Sequence, residues 1–198
     1  MGLTLEYGEG QTPLSEEEKE GLLISTITTK GELNEFEQLN IQQAVEWTLG
    51  KKWKSDTILT EEFLRQLHHK MYGDVWAWAG KFRRSNKNIG VNYFAVGPDL
   101  KNLIDDAKYW IVHQTYPGDE IAIRFKHRIV AIHCFPNGNG RHSRLIADII
   151  VNKIFEGEVF SWGHSSLSKA DDVRARYIQA LRRADVGDIQ PLVEFSRP

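Results

Sequence analysis

The chain has 198 residues, 41% hydrophobic and 26% charged, the balance of one globular domain and not of a disordered or fibrous chain. Lys and Arg number 25 against 27 Asp and Glu, a net charge of −2, so direct nucleic-acid binding through a broad basic surface is not expected. One cysteine, Cys134, excludes an intrachain disulfide and fits a cytoplasmic setting. No apolar run forms a leader or approaches the ~20 residues of a membrane span, so no membrane association is expected.

The opening stretch to Pro13 is rich in glycine and polar residues and reads as an arm. Ser15 followed by Glu16, Glu17 and Glu18 has the form of an N-cap with acids in the first turn. Residues 31–49 place Leu33, Phe36, Asn40, Ala44, Val45 and Trp47 on a mostly apolar helical stripe. Thr60 caps a second stretch carrying Phe63, Leu64, Leu67 and Met71, and Gly73 stops it. Residues 81–97 differ in character. Asn and Gly are frequent and Ile89, Val91, Tyr93 and Phe94 favour strands, so a β-hairpin is expected. Pro98-Asp99 opens a helix through Trp110 and Ile111, and Tyr116–Asp119 is a turn. Residues 120–134 form an apolar helix that breaks at Phe135-Pro136-Asn137-Gly138. Helices over about 139–155 and 170–184 complete a mainly α chain of seven or eight helices and one hairpin.

Residues 133–144, HCFPNGNGRHSR, carry the chemistry. A buried helix runs into a polar glycine turn inside which the next helix starts. Helix N-termini present unpaired N–H groups and partial positive charge. Gly138 and Gly140 let an anion approach the backbone, and Arg141 and Arg144, three apart, share the face above it. His133 precedes the turn, where a neutral imidazole can take a proton from a hydroxyl. Singly, each feature is better explained as a turn, a solvated arginine or a core histidine. Together, within twelve residues, they favour an anion site without naming a reaction. His68 and His69 diverge around a helix, and His127 and His133 match no zinc spacing, so a structural metal is not expected. The basic run Lys81, Arg83, Arg84 and Lys87 reads as a solvated face or as an attraction for nucleotide.

His133, Phe135, Gly138, Asn139, Gly140, Arg141 and Arg144 stand at the spacing HxFxxGNGRxxR, which resembles the signature of the Fic (Fido) family. Trp78-Ala79-Gly80-Lys81-Phe82-Arg83 is similar to the WAGxxR segment before that family's flap. The Glu32–Glu35 stretch resembles Fic-type proteins of the mobile mystery protein B kind, encoded beside a small DNA-binding partner. The resemblance implies an N-terminal arm and helices over 1–57, with a regulatory role, and a Fic domain over 58–198: a helical bundle with a β-hairpin flap over the active site. It implies transfer of AMP from ATP, with Mg²⁺, to a Ser, Thr or Tyr hydroxyl of a target protein. His133 would be the general base and Phe135 would fix the loop. Gly138, Asn139 and Gly140 would form the anion nest, and Arg141 and Arg144 would hold the β- and γ-phosphates. Ile89, Gly90 and Val91 would hold the target chain by strand addition.

One position departs from the family pattern. Asn137 stands where an acidic Mg²⁺ ligand is usual. Either the nucleotide phosphates hold Mg²⁺ with help from Asn137 and activity survives, or the chain is a nucleotide-binding regulatory or toxin–antitoxin module with weak or no transfer. Thr28 and Glu32 match the Thr and Glu of the family's inhibitory pattern S/T-x-x-x-E-G/N but not its last position. Glu32 is then an inhibitory acid or, as the better reading, a first-turn acid of its helix. If it does not inhibit, an antitoxin or DNA-binding partner chain would.

Overall fold

The computed structural model describes residues 12–163 and 170–197, so the arm as far as residue 11 lies outside the described residues. Ser15 caps α1 (Glu16–Lys19) through a capping box with Glu18, as the sequence predicts. Thr29 caps α2 (Lys30–Leu49) in the same way with Glu32. The buried face of α2 is Leu33, Glu37, Asn40, Ala44 and Thr48, whereas Phe36 is exposed. Leu33, Asn40 and Ala44 hold the predicted stripe, while Glu37 and Thr48 are buried one residue beyond Phe36 and Trp47, so three of the five inward members are polar.

After α3 (Ser55–Ile58), Thr60 caps α4 (Glu61–Tyr72) and Gly73 ends it, both at the predicted residues. A single 3₁₀ turn, Tyr93–Ala95, leads into α5 (Val96–Val112). Pro98 lies in the first turn of α5, where its missing N–H removes no helical bond. α6 (Gly118–Ile132) and α7 (Asn139–Ile154) pack on each other, with α5 also against α6. α8 (Ala170–Asp185) and α9 (Gln190–Ser196) pair and close one end. α2 packs on α4, and Leu14, Ile27, Leu33 and Ala44 share one apolar core with residues of α4, α6 and α7. No helix among the described residues is long and apolar enough to cross a membrane.

The β-hairpin expected within 81–97 is not present. Residues 81–92 form a loop without a strand, and among the described residues the isolated bridge is between Leu22 and Trp76. The physical reason is Arg83. Its buried guanidinium donates to the carbonyls of His133 (Nε, 2.6 Å), Ser85 (2.9 Å), Ile132 (3.3 Å) and Val91. One side chain thus satisfies carbonyls that a ladder would otherwise pair. The backbone ties this loop to the end of α6 through Arg83 N–H to Cys134 O (3.0 Å) and Val91 N–H to Ile132 O (3.4 Å).

Candidate active site

His133 ends α6 in the left-handed conformation (φ 58°, ψ 62°). That turn aims the chain away from the helix and buries the imidazole, which is 4% exposed. Burial, with Arg83 and Lys87 adding repulsion, lowers its pKa to about 4, so the ring is neutral at pH 7. Its Nδ1 is buried without a hydrogen-bond partner in the described structure, and Nε2 lies 3.2 Å from the Thr12 hydroxyl.

The turn between α6 and α7 is held from three sides. Asn139 clamps it: its Oδ1 accepts from Phe135 N–H (2.9 Å) and its Nδ2 donates to Phe135 O (2.8 Å). The Phe135 ring is buried and stacks on His68 at 3.7 Å. His68 accepts from Gly80 N–H at Nδ1 (3.0 Å), so Nε2 carries the proton and donates to Asn137 O (3.1 Å). Burial, reinforced by His142, drives the His68 pKa well below the ordinary imidazole value and keeps that tautomer neutral. Gly138 takes φ +76°, and a Cβ there would meet the Tyr72 ring at 2.6 Å. Above Gly140 there is open space within 4 Å of where a Cβ would stand, room for a ligand against the backbone.

Arg141 sits in the first turn of α7 but is not vacant. Its guanidinium pairs with Glu37 Oε2 at 2.6 Å and lies over the Tyr72 ring. Glu37 is 6% exposed, and its other oxygen accepts from Trp76 Nε1 at 2.7 Å. Arg144 lies 5.7 Å from the Tyr177 ring centre, and the fully buried Lys126 donates to the Tyr177 hydroxyl (2.5 Å). Asp148, which could have oriented Arg144, accepts instead from Phe160 N–H and Trp162 Nε1, both at 3.1 Å. Burial raises its carboxyl to about 6.

The arrangement is a neutral imidazole beside a helix N-terminus flanked by two guanidiniums. It suits transfer of a phosphorus group to a hydroxyl, where positioning and charge stabilisation supply most of the rate. A model of the Fic/DOC family matches residues 58–151, from the end of α3 into α7.

The chain is a Fic-domain protein.

The Protein adenylyltransferase Fic of Drosophila mojavensis is 28% identical over 143 residues, 69% of this chain and 26% of that protein. The chain thus matches about a quarter of the length of that relative. A Fic domain containing signaling protein from Bacteroides thetaiotaomicron superposes with a TM-score of 0.67 at 18% identity, over 80% of this chain and 65% of that one. BepC of Bartonella tribocorum, solved with bound AMPPNP, gives 0.67 at 15% identity, over 91% and 96%. These neighbours share the fold.

Within the Fic domain the structure brings His133, Gly138, Asn139, Gly140 and Arg141 around one turn, with Arg144 one helical turn beyond. Of the two readings of Glu32, the geometry shows the first-turn acid. Glu32 is not at the site: its carboxylate accepts from Thr28 N–H (2.9 Å) and Thr29 N–H (3.0 Å) in the α2 cap, which lowers its pKa, and it is exposed. The acid that meets a motif arginine is Glu37, and it meets Arg141. Asn137 is not set for a metal. Its Oδ1 accepts from Gly138 N–H (2.6 Å) and its Nδ2 donates to Thr12 O (3.0 Å). No group of three or more His, Cys, Asp or Glu among the described residues could hold a metal ion. The chain's own residues therefore do not fit a resident Mg²⁺ site.

Gly90 lies against the base, Val91 N–H reaches Ile132 O, and Ile89 is exposed. Gly90 has φ +101°, and a Cβ there would stand 2.6 Å from His133 Cβ. Gly90→Ala therefore combines a backbone strain of about 1–3 kcal/mol with displacement of the loop from His133. The expected result is a lower unfolding midpoint in a thermal melt together with reduced transfer. An unchanged melt would show that the loop yields freely.

Sequence reasoning missed Glu37, His68, Tyr72 and Thr12 as site residues. In the sequence His68 stands out only beside His69, as half of a histidine pair. The one available signal for Glu37 was its position four residues after Leu33, on the inward face of α2.

Proposed function

We propose that this Fic-domain protein is a protein adenylyltransferase that moves AMP from ATP to a Ser, Thr or Tyr hydroxyl of a target protein. The observation that carries the reading is the neutral, buried His133 with its Nε2 already facing a hydroxyl, next to the nest that opens α7. The hydroxyl oxygen attacks the α-phosphorus and gives its proton to His133 Nε2, and pyrophosphate leaves with the electron pair of the broken bond. Backbone N–H groups at the start of α7, with Arg141 and Arg144, stabilise the phosphates. Mg²⁺ would accompany the triphosphate as its counter-ion, since Asn137 supplies no charge and both atoms of its amide are engaged.

The Glu37–Arg141 pair favours a second reading, a nucleotide-binding regulatory or toxin–antitoxin module with weak transfer, because Arg141 is already neutralised. The test is incubation of the wild type, Asn137→Asp and Glu37→Gln with α-labelled ATP, Mg²⁺ and a cell lysate. Labelled lysate proteins from wild type or Glu37→Gln support adenylyl transfer. Label confined to Asn137→Asp supports the regulatory module. Label passing only from γ-labelled ATP would replace adenylyl by phosphoryl transfer.

A further inference from the structure

A cavity of about 310 Å³ lies where the loop over 81–92 meets α5 and α6, walled by Val91, by Asp99 and Asn102 of α5, and by Arg128, Ala131 and Ile132 of α6. Two of its walls adjoin the base in the chain. Ile132 precedes His133, and Val91 follows Gly90, which abuts His133 Cβ. Val91 N–H donates to Ile132 O (3.4 Å), and Arg83 holds the carbonyls of both residues. The cavity is therefore preformed and fixed in place relative to the imidazole.

Its lining is mixed. Val91, Ala131 and Ile132 supply apolar surface. The Arg128 guanidinium is held by Asp106, and Lys101, the nearest cation to Asp99 in sequence, pairs with Asp105 (2.8 Å). Asp99 is half-buried and pairs with no cation among the described residues. It stands in the first turn of α5, where the helix dipole favours its ionised form and so keeps a negative charge in the cavity. Exposed apolar side chains continue the surface along the same loop. Tyr93 and Phe94 meet edge to face at 5.7 Å, Asn86 Oδ1 fixes their turn by accepting from Tyr93 N–H (2.9 Å), and Ile89 is exposed nearby in sequence. An apolar edge held in one conformation suits contact with a protein chain.

We infer that this cavity is a subsite for the target protein: it receives a basic side chain that lies close in sequence to the acceptor hydroxyl, with Asp99 as its counter-charge. The inference rests on the adenylyltransferase reading above and gives it a substrate class. The stem of the basic side chain covers Val91, Ala131 and Ile132, and its head reaches Asp99 and the Asn102 amide oxygen. Arginine suits the pair better than lysine, because its fork serves two acceptors. A target acid there would face the Asp99 carboxylate and be rejected. Because the walls adjoin His133 and Gly90, the basic residue stands within about three residues of the acceptor in an extended target chain, at ~3.3–3.6 Å per residue. No residue of the HxFxxGNGRxxR motif lines the cavity, so the motif is silent on this choice.

The test uses the full chain carrying Glu37→Gln, which frees Arg141 while keeping an acceptor for Trp76 Nε1. Threonine peptides with arginine, glutamine or glutamate at each flanking position in turn are incubated with α-labelled ATP and Mg²⁺, beside a cell lysate, and their binding is followed by fluorescence anisotropy. The expected result is a kcat/KM about 10-fold higher for arginine than for glutamine at one position, carried by KM. This is the low end for a charge-assisted hydrogen bond, because Asn102 and Ala131 are exposed. Asp99→Asn brings the ratio toward one, and Asp99→Lys reverses the choice in favour of glutamate, a result that loss of folding cannot produce. Labelling without preference at any position, or labelled lysate proteins beside peptides that do not bind, would overturn the inference and leave the function standing. A preference for glutamate with Asp99 in place would overturn it by assigning Arg128 to the target. If no protein or peptide is labelled the transferase reading falls, and the anisotropy decides the subsite: arginine-dependent binding that Asp99→Lys abolishes upholds it, and the lack of such binding overturns it as well.

Discussion

His133→Asn is expected to lower adenylyl transfer by about 10²–10⁴-fold, the usual contribution of a positioned general base. Asparagine is the better replacement because His133 has φ 58°, a conformation that asparagine tolerates and alanine does not favour. Fold and ADP affinity should therefore persist, and calorimetry beside the labelling assay separates the two effects. The pH dependence follows from the same ring. The neutral form is the base, and the folded pKa is about 4 against 6.5 for an ordinary imidazole. Transfer should stay level as the pH falls from 7 to about 5 and decline only toward 4. An acid limb near 6.5 would show that the buried imidazole is not the base. Stability behaves differently. The unfolded ring takes its proton near 6.5 and the folded ring near 4, so stability present above 6.5 is lost as the pH falls through that window.

Glu37→Gln is expected to raise affinity for the triphosphate by about 10–100-fold, the worth of one charge-assisted hydrogen bond returned to the ligand. At present Glu37 competes for Arg141 with any phosphate, and its own charge repels one. The change also removes an ion pair whose acid is buried. A fully buried pair broken on one side loses about 3–5 kcal/mol, and the effect here is smaller because the Arg141 side chain is 34% exposed. The combination of tighter binding and a lower melting point is diagnostic. Tighter binding with an unchanged melt would mean that the pair is broken in solution, and weaker binding would assign Glu37 to the ligand and not to its exclusion.

Elements whose signals are local were legible in the sequence. Thr60 and Gly73 bound α4 because a cap and a stop act on their own helix, and the residues from His133 to Arg144 are contiguous, so their turn could be read before it was seen. The Glu37–Arg141 pair was not legible, because it joins α2 to α7 and a polar residue on an inward face looks like a break in the stripe. Glu37 is buried only because Arg141 and Trp76 Nε1 receive it. The hairpin failed for a related reason. Ile89, Val91 and Tyr93 have strand propensity, but Arg83 reaches four carbonyls from the side and fixes the loop without a partner strand. Thr12 gave no signal beyond preceding a proline, since its partner His133 is distant in sequence.

The triangle of Lys126, Tyr177 and Arg144 gives nucleotide binding a further thermodynamic partner. Lys126 is wholly buried, and burial together with the charge of Arg144 drives its pKa well below the ordinary lysine range. A polyphosphate settling on Arg144 neutralises that neighbouring charge and restores affinity of the amine for a proton. An anion on Arg144 and a proton on Lys126 therefore favour one another, although the two groups belong to different helices.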